Sequence, residues 1–322
     1  MPAITPVETS GFIVWAGFIG QTPAFASGDG AIALGTETRS VSVHSGILAA
    51  TRTLDAAALI TGGDDGKVVR TTADGETTVL AQKGRKWIDQ VAAGPGGAVA
   101  FASGRTLWVR EAGGREHELS RPSAVGGLAF FPKGLRLAIA GYNGVGIWYP
   151  GTVAPAQELE WKGSHIAVNV SPDGTSVVTS MQEAALHGWR LRDGQHMRMS
   201  GYPAKVKSLS WSAKGRFLAT SGAQASICWP FHYKDGPMGK RPLELGPRQE
   251  TVTAVACHPF EEIAAIGYDD GMILLVRFSD GEEVMLRRPG AAPISALGWE
   301  KSGLELAFGS EAGEAGVVAL SA

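Results

Sequence analysis

Few residues in this chain have the type and spacing to do chemistry. Asp64-Asp65-Gly66 and Asp269-Asp270-Gly271 each place two carboxylates ahead of a glycine. Paired carboxylates suit a calcium loop or an acid–base pair. A calcium loop needs further oxygens at Asp-x-Asp-x-Asp-Gly spacing, and neither site has them. Asp-Gly is a common hairpin turn, and that is the preferred reading. Cys257-His258 is the one adjacent pair of soft ligands. It lacks partners at metal-binding spacing, so a structural role is preferred. The remaining histidines, His44, His117, His165, His187, His196 and His232, are widely spread. Phosphate-cradling Gly-x-x-x-x-Gly-Lys-Ser/Thr, Gly-x-Ser-x-Gly, His-Glu-x-x-His and Cys-x-x-Cys are all missing. The sequence therefore assigns no catalytic residue, no metal and no cofactor.

Composition narrows the classes further. Of 322 residues, 44% are hydrophobic and 19% charged, and the net charge is −2. That is a globular balance with no broad field for nucleic acid. Basic clusters at Lys83-Gly-Arg-Lys86, Lys240-Arg241 and Arg287-Arg288 read as solvated edges, although Trp87 beside the first would suit RNA stacking. A nucleic-acid partner is thus not expected. Cys228 and Cys257 read as small buried thiols, the alternative being one bridge. The start, Met1 to Ser10, has no basic or apolar leader region, and no apolar run is long enough to span a membrane. A cytoplasmic protein with no membrane partner is the expectation.

The organising feature is a repeat. Trp108, Trp148, Trp189 and Trp229 follow one another at 40, 41 and 40 residues. Each closes a phrase of strand, tight turn and strand, most clearly Val168-Asn-Val-Ser-Pro-Asp-Gly-Thr-Ser-Val-Val-Thr-Ser. Leu128 to Ala140 and Leu209 to Ser221 repeat it. Alternating strands, turns of Gly, Pro, Asp or Lys and small residues ending the second strand predict four-stranded units, a to d, with helix content near zero. Sets of a–b–c begin near Phe12, Ile47, Trp87, Ala124, His165, Lys205, Thr251 and Ile294. The last set leaves only Ser321 and Ala322, too few for a fourth strand. Residues 2–9 are free to supply it, pairing with 294–320 and removing the exposed edges.

With that repeat, its Ser171-Pro-Asp-Gly turn, its Asp-Asp-Gly turns before strand c and tryptophan closing strand c, the chain resembles the WD40-repeat family over essentially its whole length. It departs in having no Trp-Asp dipeptide and no Gly-His before strand a, Gly163-Ser-His165 coming nearest. The family's hydrogen-bonded Asp–His–Ser–Trp set is therefore assigned in no blade. The resemblance implies an all-β fold: a single closed β-propeller over 1–322, of four-stranded antiparallel blades. Eight blades are favoured and seven are the fallback. It also implies a non-catalytic scaffold or adaptor for protein partners.

In a propeller the d–a and b–c connections share one face around the channel mouth. On them lie Trp87, Arg105, Tyr142, Asn143, His165, Gln182, Tyr202, Gln224 and Tyr268, the partner-binding candidates. Exposed Trp, Tyr and Arg dominate interface energy, but Trp87 and the tyrosines have inter-blade packing as the competing reading. The long c–d connection Phe231 to Pro242 is a second candidate surface. The alternative function is a propeller hydrolase or lyase, or a small-ligand or metal sensor, at the channel mouth. His165, Asp64 and Asp269 would be its contributors.

Overall fold

The computed structural model describes residues 2–37 and 39–320. Met1, Thr38, Ser321 and Ala322, which the expected span included, lie outside the described residues. The chain divides into two compact units. One comprises Met1–Ile47, Thr72–Glu76 and Tyr202–Ala322; the other comprises Leu48–Thr71 and Thr77–Gly201.

Thirty strands and a single 3-10 turn at Pro95–Gly97 make up the described structure. Successive strands pair antiparallel, as short connections allow, and so does the closing pair of Ile4–Val7 with Ala315–Ala319. The strands form seven sheets, six of four strands and one of six. Counted as sheets, the propeller has seven blades, the fallback number and not the favoured eight. The difference has a local cause. Tyr142 on the fourth b–c connection bridges to Ser164 on the next d–a connection. That bridge extends, across a bulge, the c–d ladder of Gly144–Ile147 with Gln157–Glu160, so Leu137–Trp148 and Gln157–Val170 each run unbroken through a connection and the fourth and fifth a–b–c sets share one sheet.

In the first unit, the N-terminal strand Ile4–Val7 pairs with Ala315–Ala319, in the register Ile4 to Val318. It supplies the missing fourth strand of the last blade. Strand b is buried on both faces: the consecutive residues Leu306, Ala307 and Phe308 are all buried. Glycine ends strand b where the next blade crowds in: a Cβ on Gly267 would come within 2.6 Å of Ile294 Cγ2. Strand a bends at its start in the same way in four blades, with register shifts at Ile13/Trp15, His165/Ala167, Val252/Ala254 and Ile294/Ala296.

The turns are fixed by side chains. Ser171 Oγ donates to Asp173 Oδ1 at 2.5 Å and accepts from Ser176 N at 2.9 Å. Asp173 also accepts from Thr175 N at 3.0 Å. Burial raises the Asp173 pKa, but these bonds outweigh it and hold the carboxyl below its ordinary value. The two Asp-Asp-Gly sites are turns. Asp65 Oδ1 accepts from Lys67 N at 3.1 Å, Asp270 Oδ1 from Met272 N at 2.9 Å, and Gly66 and Gly271 take φ of 79° and 83°.

Candidate functional site

The second unit carries the most concentrated set of candidates. Tyr142 and Asn143 lie on the b–c connection between the halves of Leu137–Trp148. Asn143 takes φ of 67°, which Asn tolerates better than most residues. Its Oδ1 accepts from Gly163 N at 3.3 Å, and Ser123 Oγ accepts from Tyr142 N at 2.9 Å. The connection is thus anchored at two points, while the Tyr142 ring stands out at 66% exposure.

Beside it is a cleft of about 610 Å³ lined by Arg121, Ser123, Tyr142, Asn143, Glu158, Trp161 and Lys162, among others. Arg121 grips Glu158 with two bonds, at 2.6 and 2.8 Å, so one wall is held by a bidentate pair. Trp161, half-buried, stacks flat on His187 with centroids 3.9 Å apart. The cleft offers aromatic surface beside charges of both signs, which suits contact with a polypeptide. Trp87 is also exposed, at 65%, on the d–a connection before Gln90–Ala93. Arg105 and Gln182 are exposed on b–c connections of the same unit. In the other unit Gln224 is exposed, with Nε2 donating to Gln249 O at 3.0 Å.

Three of the partner-binding candidates are instead buried: His165, Tyr202 and Tyr268 are parts of the frame, with no surface to offer a partner. Burial pushes the Tyr268 phenol up, and its hydroxyl donates to Gly246 O. Tyr202 completes a hydrogen-bonded chain that the sequence did not reveal. Trp229 Nε1 donates to Tyr202 Oη at 2.6 Å, and Tyr202 meets Thr220 Oγ1 at 2.7 Å. Thr220 donates its only proton to Ile227 O at 2.8 Å, so Tyr202 must be the donor to Thr220. Burial holds the Tyr202 pKa at about 12, which keeps that proton in place. A tyrosine here does the work expected of a histidine.

His165 has no nitrogen free for proton transfer. Its Nε2 lies 2.9 Å from Trp161 O and its Nδ1 2.7 Å from Thr179 Oγ1. Burial lowers its pKa, so the ring is neutral and Nε2–H donates to the carbonyl; Nδ1 faces Thr179, whose single proton also reaches His187 O at 3.0 Å. His258 is likewise committed. Nδ1 accepts from Phe260 N at 3.2 Å and Glu261 N at 2.9 Å, and Nε2 donates to Gly303 O at 3.1 Å. Among the described residues no group of three or more His, Cys, Asp or Glu is placed to hold a metal ion. No helix among them is long and apolar enough to cross a membrane.

The basic clusters are also engaged. Lys83 pairs with Glu116 and lies 4.7 Å from the Trp108 ring, with Lys86 at 5.5 Å. Arg287 binds Glu314 at 2.7 Å and the Gly271 carbonyl. The c–d insertion is held at its start, where Phe231 packs edge-on against Trp211 of strand a at 4.8 Å, and within itself, where Lys240 covers Tyr233.

Trp161 is the functional candidate that sequence reasoning missed. Its signal was its register: it falls outside the 40-residue series of tryptophans, on a strand d.

No sequence-family profile matches the chain. No curated protein matches it either. Solved structures do. The computationally designed Ika8 protein is 20% identical with a TM-score of 0.78, covering 97% of this chain and 98% of its own. The C-terminal WD40 domain of Sif2 is 12% identical with a TM-score of 0.77, covering 100% and 99%. A chain of the mitotic checkpoint complex is 13% identical with a TM-score of 0.66, covering 82% and 84%. At these identities the likeness establishes the fold, a WD40 β-propeller.

Proposed function

We propose that this chain is a non-catalytic interaction module that takes a protein partner on the b–c and d–a connections, with Trp87 and Tyr142 as anchors. The observation that carries the reading is two large aromatic rings exposed on connections whose backbones are hydrogen-bonded in place. Exposed aromatics on rigid loops lose little entropy on binding and supply most of an interface's energy. The committed nitrogens of His165 weigh against the hydrolase or lyase alternative. A solved relative within a protein complex is in keeping with a protein partner. A cytoplasmic location belongs to the same proposal. The free thiols support it: Cys228 and Cys257 stay unpaired, as a reducing compartment favours. Capture from native lysate tests the reading. Trp87→Ala with Tyr142→Ala is expected to reduce recovery of the specific partner by about tenfold or more while the unfolding midpoint is kept. Undiminished recovery would place the partner elsewhere.

A further inference from the structure

A second cleft, of about 540 Å³, lies at the opposite strand ends of the second unit. It is formed where the a–b turn Thr53–Asp55 meets the a–b turn at Gly94–Ala98 and the c–d turn at Glu111 and Ala112. Its floor is apolar, with Ile60, Leu80 and Val99, and two arginines, Arg70 and Arg110, enter it.

The charges are unevenly committed. Glu111 Oε1 is bonded to His117 Nε2 at 2.6 Å. Asp55 Oδ1 accepts from Ala57 N at 3.0 Å. Arg110 makes one bond, from Nη1 to Gly114 O at 3.2 Å. The guanidinium of Arg70, a half-buried residue, makes no hydrogen bond or ion pair among the described residues, although its charge is felt at Asp55. A guanidinium partly removed from water with its donors unused is held at a cost unless an acceptor arrives. Guanidinium donors match a carboxylate in shape and charge. The volume is that of a small-ligand site, and the apolar floor fits a hydrocarbon body.

We propose that this cleft binds a small organic carboxylate with an apolar body, its carboxylate held by Arg70 and Arg110 and its body resting on Ile60, Leu80 and Val99. This site is separate from the protein-binding face and does not depend on that reading.

Calorimetric titration with octanoate and 3-phenylpropionate tests it, with 1-octanol as the uncharged comparison. Saturable one-to-one binding is expected for a carboxylate, and about tenfold weaker binding for octanol, since a charge-assisted pair is lost. Arg70→Gln and Arg110→Gln should each weaken carboxylate binding by a similar factor with the unfolding midpoint unchanged. No saturable binding of either carboxylate would overturn the proposal. So would equal affinity for octanol and octanoate on the unaltered protein, a comparison that needs no variant to fold.

Discussion

Two tryptophans at equivalent places on strand c, Trp189 and Trp229, live in different surroundings. Both have a threonine two residues away across the b–c ladder, Thr179 and Thr220, and each threonine lies within reach of a carbonyl on strand c. Around Trp229 every polar hydrogen finds an acceptor, through Tyr202 and Thr220 to Ile227 O. Around Trp189 the partner ahead of strand a is His165, which sends its N–H to Trp161 O instead. Trp189 Nε1 and His187 Nδ1 are left buried without partners. Rings replace bonds there: Trp161 stacks on His187, which meets Trp189 edge-on at 4.7 Å. One blade is stiffened by a chain of hydrogen bonds and the other by stacked aromatics. The stacked one props the wall of the partner cleft through Trp161.

The comparison can be broken by removing single groups. The largest effect is expected from Tyr202→Phe, which strips the acceptor from Trp229 and the donor from Thr220. A loss of about 2–3 kcal/mol in denaturant unfolding is expected. A loss below about 0.5 kcal/mol would mean the chain of bonds is incidental.

Next is pH. Burial, then the charges of His196, His165 and Arg198, lower the His187 pKa from 6.5 to about 3. Between those values the unfolded chain takes up a proton that the folded ring refuses. Stability therefore falls as pH drops, by about 2 kcal/mol from pH ~6.5 to ~5. His165, also lowered, pulls the same way. His187→Phe keeps a ring under Trp161 and should flatten the slope; an unchanged slope would remove His187 from the account.

The smallest effect is expected at Trp189→Phe. The lost packing is partly offset because an unpaired donor goes with it, so the cost should stay near the low end for an aromatic truncation, about 1 kcal/mol. A cost matching Trp229→Phe in parallel melts would erase the distinction between the blades.

Much of this was legible in the sequence. The tryptophan spacing, the Ser171-Pro-Asp-Gly turn and the short last set lead to the propeller and its N-terminal closing strand. The fused sheet was not legible, because the strands become continuous only through the backbone bridge of Tyr142 to Ser164 across a bulge, which no residue type announces. Position on a connection says where a side chain starts but not which way it turns. Trp87 and Tyr142 turn out, while Tyr202 and Tyr268 turn in, where their hydroxyls meet acceptors. The Tyr202 chain was not legible because the family pattern has a histidine, not a tyrosine, in that role. The Arg70–Arg110 cleft joins residues from 53 to 112 across two repeats, so it has no motif to read.

The most direct measurement of the proposed interface is hydroxyl-radical footprinting of the exposed aromatics, with and without the captured partner. Trp87 and Tyr142 should be protected. Tyr233 on the c–d insertion and Phe260 on an a–b turn, exposed by 46% and 62%, should react as before. Protection of Tyr233 or Phe260, with Trp87 and Tyr142 unchanged, would contradict the account and move the interface to those turns.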